Sequence, residues 1–475
     1  MNTKTELVVI GAGPGGIQAA VTAAKFGVDV TLIDSSFLPG GQYYKQLPKE
    51  FLKDNKNHLH KKAEFLFTEL KRSSVHVFMN SVAWGIFHNP KSGLWQVKLQ
   101  CNNCSSQIEA PIIIIATGAY DRSIAFPGWN LPGVMTAGAA QTMIKNQGIL
   151  PGKRALLSGS GPLQLAAAAN LVDAGAEVIA VLECGSRLLR KGISHIPAVW
   201  GQWGRMHEGL GYAGTLVKAK VPYKLGWSVI KAMGNEKVEE VVIAKVDEIG
   251  KPIKGSIQTH DVDALIVGYG LTPSTEFFRL LNCEMKFSPS EGIYIPDRNE
   301  YFETSLPGIF AVGDCAGIGG AELAMVEAKI TAKRIAWKLG HVSNDQSFKI
   351  ESSEIRALKK EQRFAKMLGQ VFTIPQGLFK LAEEDTIICR CEQVTLSEVN
   401  KAISYGAQSV TDIKTITRSG MGNCQGRTCG SILAQILAAD LGKPVETSQF
   451  LNIRPPVHPL LIEQIEENAQ PEVTG

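Results

Sequence analysis

Four cysteines near the C-terminal end of the chain have the spacing of a metal or cluster site. Cys389 and Cys391 form a C-x-C pair, and Cys424 and Cys429 form a C-x4-C pair separated from the first by 32 residues. Four thiolates can converge on one tetrahedral zinc ion or on a two-iron, two-sulfur cluster. The spacing alone does not decide between these two sites, and a pair of helices with buried, unligated thiols is a third interpretation.

The residues around the second pair favour the cluster. Cys424 lies in a glycine-rich turn, residues 419–426, whose backbone N–H groups can approach the sulfides of a cluster. A helix is predicted to begin at Cys429, because apolar residues follow at core-face spacing, and its positive end would face the anionic centre. Thr395 and Glu398 form a capping-box pattern that predicts another short helix after the first pair.

The elements at the N-terminal end predict a dinucleotide site. Gly11, Gly13, Pro14 and Gly16 lie in a glycine-rich turn between an apolar strand, residues 7–10, and a predicted helix. Asp34, 23 positions after the first glycine, ends the next predicted strand. An acidic residue there accepts hydrogen bonds from an adenosine ribose and repels a 2′-phosphate. Strand, turn, helix and acid in register make this a strong nucleotide-binding signal.

A similar unit recurs in the middle of the chain. Gly159 and Gly161 form a second turn, and Glu183 follows the next predicted strand, 24 positions after Gly159. Gln164 occupies the position of the third glycine, so we expect looser packing of helix on strand there. The unit is interpreted as a second dinucleotide site, or as a domain that binds a smaller adenine nucleotide or nothing.

Composition indicates an intracellular redox protein and excludes several other classes. The 475 residues are 44% hydrophobic with 47 glycines, and the odd number of nine cysteines argues against a disulfide framework. The formal charge of +4 includes no dense basic block, so nucleic acid is not an expected partner. No apolar run approaches the roughly 20 residues of a membrane span, and a cytoplasmic location is expected.

The remaining cysteines and the histidines give weaker signals. Cys101 and Cys104 are placed at a hairpin tip before a strand predicted over residues 108–115, and Cys315 is interpreted as a packed thiol. His195 and His207 belong to no nucleophile-base pattern, so no catalytic residue is assigned.

Two nucleotide folds in one chain resemble the pyridine-nucleotide-disulfide oxidoreductases. The resemblance covers residues 1 to about 340 and includes the crossover turn with Thr117 and Gly118 and the segment that ends in Gly313 and Asp314. It implies an α/β fold with two nested Rossmann-like dinucleotide-binding domains, followed here by a small helical C-terminal iron-sulfur domain. It also implies FAD in the first site, with the ribityl chain bound by Asp314.

This organisation gives six expected segments. They are the first part of the FAD domain (1–120), the second nucleotide domain (121–255), the returning part of the FAD domain (256–340), a helical linker (341–385), the [2Fe-2S] domain (386–442) and a proline-containing tail (443–475).

Further motifs resemble the FAD-containing α subunits of heteromeric amino-acid and opine dehydrogenases. The blocks that carry this resemblance include Gly41 and Gln42, residues 116–122 and both cysteine pairs. The family contains subunits of proline and hydroxyproline dehydrogenase, octopine and nopaline oxidase, hydrogen cyanide synthase and sarcosine oxidase. The C-terminal module resembles the bacterioferritin-associated ferredoxin type, from which it departs by C-x4-C in place of C-x2-C.

The resemblance implies a particular set of partners. Amine oxidation would occur in an FAD-containing β subunit of the D-amino-acid-oxidase-like type, joined in some complexes by an FMN at the subunit boundary and by a small ferredoxin-like subunit. The second nucleotide site would hold ATP or NAD(H).

A flavin accepts two electrons and can release them singly, whereas the cluster carries one at a time. The prediction is therefore an electron-transferring α subunit of a dehydrogenase for hydroxyproline, proline or an opine. Two alternatives stay open. One is a self-sufficient NADH-dependent flavin and iron-sulfur reductase, and the other is a non-catalytic, cluster-bearing scaffold or redox sensor.

Overall fold

The computed structural model describes residues 2–47, 61–101, 104–186, 196–289, 291–342, 349–447 and 450–461. His195 lies outside the described residues, as do the side chain of Cys104 and the end of the expected tail.

The described part of the chain contains both strands and helices. Up to residue 147 the elements are β1 (Asn2–Lys4), β2 (Leu7–Ile10), α1 (Pro14–Lys25), β3 (Val30–Ile33), α2 (Lys61–Arg72), β4 (His76–Phe78), β5 (Ser81–Asn89), β6 (Leu94–Cys101), β7 (Cys104–Ala110), β8 (Ile112–Ile115), β9 (Ala119–Asp121), β10 (Val134–Thr136) and α3 (Ala137–Gln147). From residue 154 to 280 they are β11 (Arg154–Gly159), α4 (Pro162–Asp173), β12 (Glu177–Glu183), α5 (Ile196–Val199), α6 (Trp203–Lys218), β13 (Tyr223–Leu225), β14 (Trp227–Met233), β15 (Glu240–Lys245), β16 (Gln258–Asp261), β17 (Ala264–Gly268), β18 (Leu271–Pro273) and α7 (Glu276–Leu280). The remainder are β19 (Met285–Ser288), β20 (Ile293–Pro296), β21 (Ile309–Ala311), α8 (Ala321–Lys338), α9 (Ser352–Val371), β22 (Ile387–Cys389), β23 (Val394–Thr395), α10 (Leu396–Ser404), α11 (Val410–Thr417) and α12 (Gly430–Asp440).

Two parallel sheets form the framework of the molecule. The first has the order β21-β8-β2-β3-β4, and the second has the order β10-β17-β11-β12-β13. The second sheet is formed by chain between β8 and β21, so one Rossmann-like unit is inserted into the other. The predicted fold class is confirmed.

Apolar runs in the central strands explain the layered core. Every residue of β2, β3 and β8 is buried, as expected of strands covered on both faces of a parallel sheet. Helices α1, α2 and α8 contribute to the core on one face, and residues of β5, β6 and β7 contribute to the core on the other.

The strand predicted over residues 108–115 is wrong as a single element. β7 pairs with β6 in a sheet of order β1-β7-β6-β5, whereas β8 lies in the first parallel sheet. Pro111 separates the two strands, because its nitrogen carries no hydrogen to donate to a ladder. The chain therefore changes sheets at this residue.

The C-terminal module is a two-stranded ribbon with three short helices. The predicted capping box is present, since Thr395 N donates to Glu398 Oε2 (2.8 Å) and Glu398 N donates to Thr395 Oγ1 (3.3 Å) at the start of α10. Ser409 and Asp412 form a second capping box on α11. The helix predicted after the last cysteine is α12, with Cys429 as its N-cap residue.

This module shares a hydrophobic core with the second nucleotide domain. Ile388 and Leu433 belong to the same buried cluster as Leu156 and Val267 of the second parallel sheet. Trp129 Nε1 also donates a hydrogen bond to the Ile387 carbonyl oxygen (2.6 Å). Because each fully buried aliphatic side chain contributes about 1.5–3 kcal/mol, the continuous core holds the cysteine pairs in a fixed place beside the sheets.

Candidate functional site

The first glycine-rich turn leads tightly into the N-terminus of α1. Gly11 has a φ of +108°, and a Cβ there would lie 2.3 Å from the Ala116 carbonyl oxygen. A Cβ on Gly16 would lie 1.8 Å from the Gly11 oxygen, so glycine is needed for this close packing of helix on strand. Gly11, Gly13 and Pro14 line a large cavity. The N-terminus of α1 is therefore directed at the cavity, where it favours an anion.

Asp34, the residue directly after β3, lines the same cavity. Its Oδ2 accepts a hydrogen bond from Ala12 N (2.5 Å), and its Oδ1 accepts one from Ser36 N (2.7 Å). The two contacts hold the carboxylate beside the turn. Gly41 and Gln42 also line this part of the cavity.

Asp314 marks another side of this site, in a short 3-10 helix, Gly313–Ala316, that precedes α8. Its Oδ1 accepts hydrogen bonds from Gly319 N (2.9 Å) and Gly320 N (2.8 Å). Burial raises the pKa of the Asp314 carboxyl, and the nearby charges of Glu327 and Glu291 act in the same direction.

A buried ion pair supports the turn that carries Asp314. Glu327 of α8 accepts hydrogen bonds from Gly313 N (2.9 Å) and from two guanidinium nitrogens of Arg298 (2.9 and 2.7 Å). Sequence reasoning missed Arg298 and Glu327, because neither belongs to a motif and they are brought together only by the fold.

The cavity has a volume of about 2280 Å³ and extends beyond the first turn. Thr117 and Gly118 of the crossover turn line it together with Gly313 and Asp314. Small-molecule sites in proteins usually occupy about 300–1,000 Å³. With the exception of Gly16, the residues predicted for FAD thus border one space, whose volume fits a dinucleotide and leaves room for another group.

The second glycine-rich turn is arranged differently from the first. Ser160 and Pro162 line the cavity, but Glu183 is 0% exposed and accepts hydrogen bonds from Gly161 N (3.0 Å) and Gly185 N (3.1 Å). Burial raises the pKa of the Glu183 carboxyl.

The residue in place of the third glycine is also buried. Gln164 is 1% exposed, and its two amide atoms have no hydrogen-bond partner among the described residues. A Cβ on Gly159, which has a φ of +157°, would lie 2.0 Å from the Gly268 carbonyl oxygen. The second turn therefore packs closely against β17 despite the larger side chain at Gln164.

The four cysteines of the C-terminal module meet as two pairs. Cys389 lies beside the Cys429 thiol, and Cys391 lies beside the backbone and the side chain of Cys424. The described residues contain no group of three or more His, Cys, Asp or Glu side chains already arranged around one ion. Two thiolate pairs fit a two-iron cluster, in which each iron takes two cysteines.

Backbone N–H groups surround the sulfur of Cys389, a buried residue. The hydrogen bond from Cys429, together with backbone hydrogen bonds that include Gly420 and Glu392, lowers the pKa of Cys389 to about 6. A Cβ on Gly422 would lie 2.2 Å from the Cβ of Cys391, so the turn approaches the first pair as closely as glycine permits. The site is built to stabilise negative charge on sulfur.

Arg427 links this cysteine loop to the first nucleotide domain. Its Nε lies 3.1 Å from Glu276 Oε1 at the start of α7, and its guanidinium donates to the carbonyl oxygens of Cys424 (3.3 Å) and Val457 (3.1 Å). Tyr120, in the strand after the crossover turn, is partly buried near Glu276 and Arg427. Sequence reasoning gave none of these three residues a role, since no spacing connects them.

The remaining cysteine thiols and His207 form no additional site among the residues that the structure describes. Burial raises the pKa of Cys315 to about 12, and its sulfur hydrogen-bonds to the Ile115 carbonyl oxygen (3.2 Å). Cys283 and Cys184 are also buried, and burial raises the pKa of each thiol. His207 lies on the exposed side of α6.

Two family models match the chain. The model described as pyridine nucleotide-disulphide oxidoreductase matches residues 5–330, and that of the BFD-like [2Fe-2S] binding domain matches residues 387–439. The first implies FAD or NAD binding, and the second implies a [2Fe-2S] cluster in the C-terminal domain.

Curated relatives extend this similarity over nearly the whole chain. The HcnB subunit of hydrogen cyanide synthase from Pseudomonas aeruginosa is 31% identical over 430 residues, which cover 89% of this chain and 90% of the relative. An opine oxidase subunit from Agrobacterium tumefaciens is 30% identical over 97% of this chain and 91% of its own length. The alpha subunit of sarcosine oxidase from Corynebacterium sp. is 22% identical, and the match covers only 43% of that longer chain.

Solved structures agree on the fold. L-Proline dehydrogenase from P. horikoshii superimposes with a TM-score of 0.69 at 20% identity, covering 98% of this chain and 80% of that one. T. acidophilum thioredoxin reductase superimposes with a TM-score of 0.52 over 71% of this chain. Within the described residues, no helix combines the length and apolar character needed to cross a membrane.

Proposed function

Because this chain belongs to the pyridine nucleotide-disulphide oxidoreductase family and carries a BFD-like [2Fe-2S] domain, we propose that it is the electron-transferring subunit of a heteromeric amino- or imino-acid dehydrogenase. The chain is an oxidoreductase, and its relatives include named subunits of opine oxidase and hydrogen cyanide synthase. The observation that carries the proposal is the direct contact of the cysteine loop with the first nucleotide domain through Arg427 and Glu276.

FAD is the cofactor that we assign to the first site. Gly11, Gly13 and Pro14 would receive its pyrophosphate at the N-terminus of α1, Asp34 would bind the adenosine ribose, and Asp314 would bind the ribityl chain. Gly16 supports the turn, and the other lining residues assigned to FAD are Gly41, Gln42, Thr117, Gly118 and Gly313. When bound, a flavin accepts two electrons and can release them one at a time.

The cluster is assigned to Cys389, Cys391, Cys424 and Cys429. Their pairing and the surrounding backbone N–H groups support this ligand set. A cluster carries a single electron, so the two centres in one chain would convert a two-electron oxidation into one-electron steps.

The amine would be oxidised in a partner subunit. The names of the relatives support this division, since each is one subunit of a larger enzyme. We propose an FAD-containing β subunit of the D-amino-acid-oxidase-like type, an FMN at the boundary and a secondary amine such as proline, hydroxyproline or an opine as substrate. A small ferredoxin-like subunit would complete some of these complexes.

The second nucleotide site is proposed to be structural. Its acid, Glu183, is buried against the backbone of its own turn and does not line the cavity. We therefore assign a structural role to the ATP or NAD(H) bound at this site. One observation favours the alternative of an NADH-dependent reductase. Ser160 and Pro162 of this turn border the same cavity as the residues assigned to FAD.

Cofactor content of the purified chain tests the proposal. We expect about one FAD, two irons and two inorganic sulfides per chain, with the iron, sulfide and cluster absorption lost in Cys424→Ser. Cys101→Ser, which changes a partly exposed thiol outside the module, is the matched control and should keep both centres. A chain that binds zinc in place of iron, or a Cys424→Ser variant with a normal cluster, would contradict the assignment.

A further inference from the structure

Two lysines from distant parts of the chain line the cavity beside the first site. Lys45 lies three residues after Gln42, and Lys145 lies on α3. Lys45 Nζ donates a hydrogen bond to Thr142 Oγ1, which is three positions before Lys145 on the same helix. Residues three apart on a helix are neighbours on its surface, so the two ammonium groups lie on the same side of α3.

Both ammonium groups are held in partly desolvated positions. Burial lowers the pKa of Lys45 to about 8, and the positive charge of Lys145 acts in the same direction while Asp121 opposes it. Burial also lowers the pKa of Lys145, against the opposing charge of Glu208. Two like charges brought together away from water are unfavourable unless an anion compensates them.

The neighbouring carboxylates are engaged with other donors. Asp121 accepts hydrogen bonds from Thr136 Oγ1 (2.6 Å) and Gly138 N (3.1 Å), at the N-terminus of α3. Glu208 accepts the hydrogen bond of the Tyr212 hydroxyl (2.7 Å). Across the described ranges, neither lysine forms an ion pair, and Lys145 has no hydrogen bond.

A third cation that lines the cavity is already neutralised. Arg205 of α6 pairs with Glu361 of α9 at 2.6 Å, and Glu361 is buried. Arg122 and Lys366 also line this cavity of about 2280 Å³, which has room beyond a single dinucleotide. Lys45 and Lys145 differ from them because both lie beside Thr142, and neither forms an ion pair within the described residues.

We propose that Lys45 and Lys145 form a binding site for an oxyanion, carried by a ligand that occupies the cavity beside the first nucleotide turn. Phosphate and carboxylate share the required chemistry, because both present oxygen acceptors with a formal negative charge. The phosphate could come from a nucleotide, and the carboxylate from an amino acid. This anion site does not depend on the proposed function, since it requires only the cavity and the two ammonium groups.

The test measures anion binding to the purified, flavin-containing chain. Inorganic phosphate and pyrophosphate represent a nucleotide phosphate, and proline and acetate represent an amino-acid carboxylate. The binding of each compound is measured by calorimetry and by the flavin absorption spectrum. Lys45→Gln and Lys145→Gln should each raise the dissociation constant of the bound anion by about tenfold, because each removes a charge-assisted hydrogen bond. Lys145→Arg should retain most of the affinity, because it keeps the charge.

Lys153→Gln is the matched control, since it removes one positive charge from an exposed position in the domain that contains Lys145. It should leave the dissociation constant within about twofold of the wild-type value, as expected for a remote, screened charge. If one class of anion, phosphate or carboxylate, binds wild type and binds both Lys→Gln variants more weakly, that class is the natural ligand group. No binding by either class, or equal binding by wild type and both Gln variants, would overturn the proposal. Iron and flavin contents of the variants report separately on the proposed function.

Discussion

The Arg427 guanidinium, between two cysteines of the C-x4-C motif, forms an ion pair with Glu276 of the first nucleotide domain at 3.1 Å. Both side chains are shielded from solvent, at 17% and 5% exposure. Ser274 Oγ donates to the other carboxylate oxygen (2.9 Å), and the Ser274 carbonyl accepts from Thr117 Oγ1 (3.3 Å) in the crossover turn. A chain of polar contacts therefore connects the cysteine loop to the wall of the proposed FAD site.

Removing Glu276 should loosen the cysteine module and slow electron transfer to the cluster. Glu276→Leu leaves the shielded Arg427 charge without its partner, and such a loss costs about 3–5 kcal/mol. We expect a lower denaturation midpoint for the module and slower cluster reduction after flavin reduction in stopped-flow spectra.

The exposed Lys286–Asp297 pair provides the comparison for this variant. Its side chains are 55% and 52% exposed, so Lys286→Met should cost less than about 1 kcal/mol and leave the transfer rate unchanged. Equal effects of Glu276→Leu and Lys286→Met would show that the Arg427–Glu276 contact does not position the module.

Asp314→Ala should weaken FAD retention. The substitution removes the carboxylate that we assign to the ribityl chain, and a hydrogen bond to a charged group contributes about 1.5–3 kcal/mol. The flavin-to-protein ratio after dialysis should fall, whereas Asp314→Asn, which keeps an acceptor oxygen for Gly319 N and Gly320 N, should lose less flavin. Full retention of flavin by Asp314→Ala would remove the residue from the site.

The folded state should lose stability in mild acid because of His458. Burial, assisted by the charge of Arg427, lowers the pKa of His458 to about 4 from an ordinary 6.5. As pH falls, His458 is therefore protonated in the unfolded chain before it is protonated in the folded chain. The free energy of unfolding consequently decreases as pH falls from about 6.5 to 4.

His458→Gln should flatten this part of the pH profile. Between pH 7 and 4.5 we expect wild type to lose roughly 2 kcal/mol more than the variant in urea unfolding. His207→Gln, at an exposed position on α6, should follow wild type. Parallel profiles for wild type and His458→Gln would indicate that His458 is protonated equally in both states.

Local motifs were predictable from the sequence because their geometry is set by neighbouring residues. The capping box at Thr395 and the helix after Cys429 depend on a few consecutive positions, and both are present. The nested fold also followed from two repeated strand-turn-helix units. Pro111, by contrast, interrupts what looked like one strand, because apolar character alone does not show which sheet a residue joins.

Contacts between distant segments were not predictable in the same way. Arg427 and Glu276 are 151 positions apart, and Lys45 and Lys145 are 100 positions apart, so no spacing rule connects either pair. Glu183 has nearly the spacing of Asp34, yet only the structure shows that its carboxylate is buried against its own turn. Burial and partners depend on how the domains pack, and a single sequence does not encode that in a short pattern.

Anaerobic reduction of the flavin tests the central proposal most directly. The purified chain would be mixed with NADH, and then with proline, hydroxyproline or an opine in the presence of the co-expressed partner subunit, while the flavin and cluster bands are recorded. We predict that the bands bleach only with amine and partner together. Rapid bleaching by NADH alone would contradict the proposal and identify the chain as an NADH-dependent reductase.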